Sequence, residues 1–159
     1  MRSRSLPGLS LRIAFLLLLF LFIAVPGCAP KKIRIYEGLP QKGDAIVQYA
    51  AGLLGRPYKN GAKGPDAFDC SGLVHYVYRR FDINVPNNTE ELGRTGYQVP
   101  RENILAADLV IFHIKRSYHI GIMMNENEFV HASSSKGVAI GSLNSSYWRR
   151  NLSHFRRVL

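Results

Sequence analysis

Apolar side chains recur at helical spacing in two segments of the chain. One segment runs from Asp44 to Leu54, and the other follows Cys70, where the apolar stripe comprises Leu73, Val74, Val77, Tyr78 and Phe81. Asp69 stands just before the second stripe, and its carboxylate can accept the free amide protons of a first helical turn. The pattern therefore predicts two helices, the second with Cys70 in its first turn.

Beyond these helices the pattern changes to short apolar runs separated by polar turns. The apolar run 109–124 is interrupted at 115–117, which predicts two strands, and further strands are predicted at 129–133, 137–142 and 154–159. Helices first and strands afterwards are typical of an α+β fold. We expect the helix that begins near Cys70 to pack on an antiparallel sheet.

The N-terminal segment has the pattern of an export signal. Three arginines precede an apolar run at 13–25, and Pro26, Gly27 and Cys28 follow it. A basic flank and a run this short indicate a secretory signal rather than a membrane span. The cysteine after Gly27 resembles a bacterial lipoprotein box, so residues 1–27 are predicted to be a lipoprotein signal peptide and Cys28 to carry lipid. An uncleaved anchor and plain secretion are the alternatives.

Residues 28–43 are then predicted to form a lipidated tether, and residues 44–159 are long enough for one domain with a core. Because Ala29 is not an aspartate, the usual sorting pattern favours the outer membrane, with the domain facing the periplasm of a bacterial cell envelope. The formal charge of +10 falls to +7 without the three signal arginines. Export and the lack of a nucleic-acid motif argue against a nucleic-acid partner. Contact of the basic residues with anionic lipid or cell-wall polymer is one interpretation, and a generally solvated surface is the alternative.

Cys70 is the candidate nucleophile. A cysteine attacks carbonyl carbons as the thiolate, and an unperturbed pKa of about 8.5 leaves little thiolate at neutral pH. A helix N-terminus favours an anion, because its amides are unpaired and its dipole is positive there. The alternatives are a small buried side chain, as most free cysteines are, or a disulfide with Cys28, which would disable such an enzyme.

Two histidines on neighbouring predicted strands are candidates for the base. If the turn around 125–127 has an odd number of residues, His119 and His131 lie on one face of the sheet, roughly 5 to 8 Å apart. An even turn would put them on opposite faces. His75, His113 and His154 are weaker candidates, because His75 points away from the thiol around the helix and His113 ends its strand.

Five ordered blocks resemble the NlpC/P60 family of papain-like cysteine peptidases, which cut bacterial cell-wall peptides. The blocks are Gly55–Tyr58, Phe68–Val74, Asp108–Phe112, His119–Ile122 and Phe129–Ala132. The resemblance implies a papain-like α+β fold in which N-terminal helices, including the catalytic one, pack on an antiparallel sheet of about five or six strands. It also implies roles for six residues: Cys70 as nucleophile, His119 as general base and acid, His131 as the group that orients His119, Tyr58 near the oxyanion, and Asp69 and Ser71 as substrate contacts.

The implied activity is hydrolysis of peptidoglycan stem peptides by a monomeric thiol peptidase without metal or cofactor. The family commonly cuts the bond between D-glutamate and diaminopimelate. A non-catalytic lipoprotein that binds stem peptides in the same cleft is the alternative. A zinc site formed by Cys70, His119 and His131 is a third hypothesis, although the sequence has no paired Cys or His motif of the structural-zinc type.

Overall fold

The computed structural model of the chain describes residues 39–159. The predicted signal peptide, Cys28 and most of the predicted tether lie outside the described residues. The described part holds four α-helices, a 3-10 helix (Arg101–Asn103) and six strands. In chain order the α-helices and strands are α1 (Leu39–Ala51), α2 (Cys70–Arg79), α3 (Thr89–Leu92), β1 (Tyr97–Val99), β2 (Leu109–Ile114), β3 (Ser117–Met123), β4 (Glu128–Ser133), β5 (Gly137–Ser142), α4 (Ser146–Asn151) and β6 (Leu152–Arg157). Within this part, no helix has the length and apolar character needed to cross a membrane.

All six strands form one antiparallel sheet in the order β1-β6-β2-β3-β4-β5. Strands β2 to β5 follow one another as hairpins, and β6 returns to pair with β2 on the other side. The predicted α+β class and the antiparallel sheet are confirmed. Strand β1 and the short helices α3 and α4 were not predicted, because a strand of three residues and helices of four and six residues are too short to show their periods.

The two faces of the sheet carry separate apolar clusters. Helices α1 and α2 cover one face with Ile46, Leu73 and Val77, which belong to the same buried cluster as Ile111 and Ile120. The opposite face holds a second cluster around Phe112, Phe129 and Phe155. Burial on both faces explains why the runs at 109–112 and 120–123 are continuously apolar and do not alternate.

The element ends differ from the sequence prediction by a few residues. Helix α1 begins at Leu39 instead of Asp44 and ends at Ala51, and strand β6 covers 152–157 instead of 154–159. Helix α2 stops at Arg79, since the backbone N–H of Arg80 bonds the carbonyl of Val77 in a tighter turn. Phe81, the last residue of the predicted apolar stripe, lies in the turn after the helix. Its side chain packs on the buried cluster between the helices and the sheet.

Candidate active site

Cys70 is the first residue of helix α2. Asp69 caps the helix: its Oδ1 accepts the backbone N–H of Gly72 at 2.6 Å and the hydroxyl of Ser71 at 3.1 Å. The amide of Cys70, in the first turn, has no partner within the helix. A half-buried thiol therefore stands at the positive end of a capped helix.

Gly72 lets the start of this helix lie against the preceding loop. A Cβ at Gly72 would lie 2.1 Å from the carbonyl oxygen of Ala62, and the backbone N–H of Asp69 donates to the same oxygen at 2.9 Å. Any side chain at this position would push the cap away from the loop. Close packing against this loop therefore explains why the fourth position of the Asp-Cys-Ser-Gly motif is a glycine.

Lys63 ties the helix cap to the loop before α3. Its ammonium lies 3.1 Å from Asp69 Oδ2 and donates to Ser71 Oγ at 3.0 Å and to the carbonyl of Asn87 at 2.8 Å. Asp69 and Ser71 are 8% and 5% exposed, and their side chains are bonded within this network. Neither residue lines the cavity described below. Contact of Asp69 and Ser71 with the substrate stays a prediction.

The register of strands β3 and β4 places the two histidines on one face. Ile122 pairs with Val130 and Met123 with Phe129, so five residues lie between the innermost partners. The turn is therefore odd, which is the condition for a shared face, and His119 and His131 are diagonal neighbours. His119 Nε2 lies 2.9 Å from His131 Nδ1, and the ring centroids are 5.1 Å apart.

The thiol and both histidines line one open cavity of about 970 Å³, together with Tyr58. Cys70 Sγ lies 3.4 Å from the hydroxyl oxygen of Thr89, the first residue of α3, which is not among the residues lining the cavity. Thr89 was not predicted, because it belongs to a four-residue helix that shows no period and stands 19 positions from the thiol.

The hydrogen bond between the imidazoles restricts their protonation. Only one of the two facing nitrogens can carry a hydrogen when both rings are neutral. If His119 Nε2 donates to His131 Nδ1, the Nδ1 of His119 has a free lone pair and can accept a proton. This tautomer is the one that a base at His119 requires, and His131 stabilises it by accepting.

Trp148 covers the histidine pair from helix α4. Its ring stacks on His119 with centroids 5.6 Å apart and meets His131 edge-on at 4.9 Å. These contacts restrict the imidazoles to their orientations and exclude water from one side of the pair. Trp148 was not predicted to belong to the site. The one signal in the sequence that singles it out is that the chain has no other tryptophan.

Tyr58 stands at the cavity wall with its hydroxyl protonated. Burial raises its pKa, and the negative charge that Cys70 and Asp69 can carry raises it further. A tyrosine that keeps its proton beside a thiolate can donate a hydrogen bond to a developing oxyanion. The position agrees with the role that the family resemblance implies for this residue.

Burial also keeps both imidazoles neutral near pH 7. It lowers the pKa of His119 to about 4 and that of His131 to about 3, the latter also through the nearby charges of His119 and Lys136. A charged imidazole that holds the thiol as an anion would need a pKa near or above 7. The low pKa values instead favour a neutral His119 that acts as a base when the thiol reacts.

The two depressed pKa values predict a loss of stability in acid. Well above pH 6.5 both rings are neutral in the folded and in the unfolded chain, so they do not make the free energy of unfolding depend on pH. Below pH 6.5 the unfolded chain binds protons that the folded chain excludes, until the pH reaches about 4 for His119 and about 3 for His131. At pH 5 each ring then lowers the free energy of unfolding by up to about 2 kcal/mol.

Urea unfolding at pH 7 and pH 5 measures this loss. A variant that carries both His119→Gln and His131→Gln is the control, because it lacks the two groups but keeps every carboxylate. We expect the wild-type chain to lose roughly 3 kcal/mol more than this variant between the two pH values. Equal losses in both proteins would contradict the neutral pair.

The remaining histidines lie elsewhere. His75 Nδ1 bonds the carbonyl of Val85 at 2.8 Å and His154 Nε2 bonds that of Gly93 at 2.9 Å, so both brace the backbone, and His113 packs on Tyr118. Among residues 39–159 no three His, Cys, Asp or Glu side chains are grouped so as to hold a metal ion. What the cavity presents is a thiol, a neutral imidazole pair and a phenol.

Comparison with known proteins gives consistent matches. A model of the NlpC/P60 family matches residues 55–157. The chain is 38% identical over 129 residues to the Escherichia coli murein DD-endopeptidase MepS/murein LD-carboxypeptidase, which covers 78% of this chain and 69% of that protein. It is also 38% identical over 153 residues to the Escherichia coli probable endopeptidase NlpC, covering 91% of this chain and 99% of the relative.

Two further matches are longer proteins. The chain is 32% identical over 149 residues to the gamma-DL-glutamyl hydrolase of Bacillus subtilis, covering 87% of this chain and 36% of the relative. A solved NlpC/P60 family structure from Bacillus cereus superposes with a TM-score of 0.70 at 25% identity, covering 74% of this chain and 40% of that one. The chain thus spans less than half the length of either protein.

Proposed function

The chain belongs to the NlpC/P60 family, and from that premise we propose that it is a peptidoglycan hydrolase that cuts stem peptides with Cys70 as nucleophile. One observation carries the proposal: the thiol at the start of α2 and the hydrogen-bonded pair of His119 and His131 line the same cavity. The relatives, which include a murein endopeptidase and a gamma-DL-glutamyl hydrolase, support the substrate class.

The first half of the reaction forms a thioester. Nδ1 of His119 takes the proton of the Cys70 thiol as the sulfur attacks the carbonyl carbon of the peptide bond. The carbonyl oxygen becomes an oxyanion, which the backbone N–H of Cys70 and the hydroxyl of Tyr58 stabilise. Each such donor typically contributes about 3 to 4 kcal/mol to the transition state. The carbon–nitrogen bond then breaks, and the His119 imidazolium gives its proton to the leaving amine.

The second half releases the product and restores the enzyme. His119, again neutral, removes a proton from water as the water oxygen attacks the thioester carbon. The carbon–sulfur bond breaks, the carboxylic acid leaves, and the sulfur regains its proton from His119. Throughout both halves His131 accepts the Nε2–H of His119, which stabilises the imidazolium and leaves Nδ1 available for proton exchange with the sulfur.

We infer that the bond cut is the one between γ-D-glutamate and diaminopimelate. The family resemblance and the similarity to the gamma-DL-glutamyl hydrolase of Bacillus subtilis support this bond. The Escherichia coli relative MepS is a DD-endopeptidase, which cuts a different bond. The masses of the products distinguish these two cleavage sites.

To test the proposal, the purified protein is incubated with defined stem-peptide fragments, both uncross-linked and cross-linked, and the products are identified by mass spectrometry. We expect fragments that end in γ-D-glutamate, inhibition by iodoacetamide and no effect of a chelator. Cleavage only at the D,D cross-link would overturn the bond assignment but not the hydrolase. Cell-wall binding without products, insensitive to alkylation, would favour a binding lipoprotein, and inhibition by the chelator would favour the zinc hypothesis.

We also infer that Cys28 is lipidated and tethers the domain to the outer membrane, facing the periplasm. The support is the sequence alone: a basic flank, a short apolar run and a cysteine directly after Gly27. Membrane fractionation of a Cys28→Ser variant tests this. Release of the variant into the soluble fraction supports the anchor, and retention equal to that of the wild-type chain contradicts it.

A further inference from the structure

The turns at one end of the sheet carry three cations over the catalytic cavity. Lys115 and Arg116 form the turn between β2 and β3, and Lys136 ends the turn between β4 and β5. Strand β3 lies between β2 and β4 and runs antiparallel to both, so the two turns meet at the same end of the sheet. All three residues line the cavity that holds the thiol. We call them the basic rim.

The basic rim has no acidic counterpart in this cavity. None of the residues that line the cavity is an aspartate or glutamate. In the described part of the chain, the ion pairs use Lys63, Arg94 and Arg157 and involve no residue of the basic rim. A concave surface with charges of one sign focuses its field and raises the local concentration of ligands of the opposite sign.

Beside Lys136, the cavity wall also presents hydroxyl groups that can bind an oxyanion ligand. Residues 133–135 are three consecutive serines in the turn that ends at Lys136, and the hydroxyl oxygens of Ser133 and Ser135 lie 3.2 Å apart. Hydroxyl groups donate to carboxylates, and a lysine or arginine beside them adds a charge-assisted bond. Lys136 also stands close enough to His131 for its charge to lower the pKa of that imidazole, which places it near the reacting groups.

We propose that the basic rim recognises the free carboxylates of the substrate, so that the enzyme selects stem peptides with ionised carboxyl groups over the same peptides as carboxamides. This inference rests on the proposed function and adds a specificity to it. In this proposal the cations bind the carboxylates of the substrate and neither donate nor accept a proton at the scissile bond. They therefore contribute to binding and leave the chemical steps to Cys70 and His119.

The test compares one peptide in two forms: L-alanyl-γ-D-glutamyl-diaminopimelyl-D-alanine with free carboxylates, and the same peptide with its carboxylates converted to carboxamides. Binding is measured in a Cys70→Ser background by fluorescence. The chain has a single tryptophan, Trp148, and it lines the cavity, so the signal reports on this site. The test variant carries Lys115→Gln, Arg116→Gln and Lys136→Gln.

A matched control removes the same charge elsewhere. It carries Arg101→Gln, Arg149→Gln and Arg150→Gln, three exposed positions outside the cavity wall. We expect the rim variant to weaken binding of the carboxylate form about threefold for each charge, or roughly 30-fold in total, with high salt reducing the difference. Its affinity for the carboxamide form and both affinities of the control variant should stay within about twofold of the parent protein.

Three results would overturn the inference: equal weakening for both peptides, equal weakening by the rim and control variants, or a parent protein that does not prefer the carboxylate form. Failure of the proposed function is recognised separately. A protein with intact Cys70 that shows the rim-dependent binding but releases no product would recognise carboxylates without being a hydrolase. A protein that cleaves both forms equally would be a hydrolase without this specificity.

Discussion

Replacing Cys70 with serine is expected to lower kcat for stem-peptide hydrolysis by about 10⁴-fold or more. Serine keeps the size of the side chain, but its hydroxyl is a much weaker acid than a thiol, and a neutral imidazole tuned to a thiol cannot deprotonate it effectively. Helix α2 and its Asp69 cap do not depend on the sulfur. The loss should therefore appear in the chemical step and leave folding unchanged.

The measurement is the rate of product release from a defined stem peptide under saturating substrate. Trp148 fluorescence and a urea unfolding curve of the same preparation show whether the variant is folded and keeps its cavity. Full occupancy by substrate with no turnover is the expected pattern. A Cys70→Ser protein that retains a tenth of the wild-type rate would exclude Cys70 as the nucleophile, and the proposed mechanism with it.

Replacing Arg157 with methionine is expected to lower the free energy of unfolding by about 3 to 5 kcal/mol. Arg157, at the end of β6, holds Asp108 through two bonds, Nε to Oδ1 at 2.6 Å and Nη2 to Oδ2 at 2.7 Å. Asp108 is 1% exposed, so methionine leaves a buried carboxylate with no opposite charge. Its remaining side-chain bond, from the N–H of Leu105, cannot compensate for a full charge.

Two further variants identify the cause of this loss. Arg94→Met removes the exposed ion pair with Glu90, whose side chains are 75% and 61% accessible, and should cost less than about 1 kcal/mol. Adding Asp108→Asn to Arg157→Met removes the unpaired charge and should recover part of the lost stability. Urea unfolding at pH 7 measures all three. If Arg157→Met is as mild as Arg94→Met, the buried ion pair does not stabilise the fold as argued.

Sequence reasoning succeeded where the interactions are local or periodic. The start of α2 follows from a carboxylate and an amide three residues apart, Asp69 and Gly72. The alternation of side chains along a strand reduces the arrangement of His119 and His131 to two possibilities, and the odd turn in the structure selects the one in which they share a face. The α+β order follows from the change of period between the two halves of the domain.

Sequence reasoning failed where residues meet through the packing of distant segments. Thr89 lies 19 positions from the thiol that it contacts, and Lys63 lies 24 positions from the Asn87 carbonyl that it bonds. Trp148 reaches the histidines from a six-residue helix that has no detectable period. A single threonine, lysine or tryptophan carries no local pattern that predicts its partner.

The sequence alone therefore determined the reactive groups and their local settings: a cysteine at a helix start and two histidines on adjacent strands of a sheet. Capping and strand alternation depend on neighbours a few residues away, which the sequence shows directly. The tertiary structure decided what surrounds these groups: the threonine against the thiol, the tryptophan on the imidazoles and the basic rim over the cavity. Those contacts depend on how the helices and turns pack against the sheet, because burial and proximity belong to the folded chain as a whole.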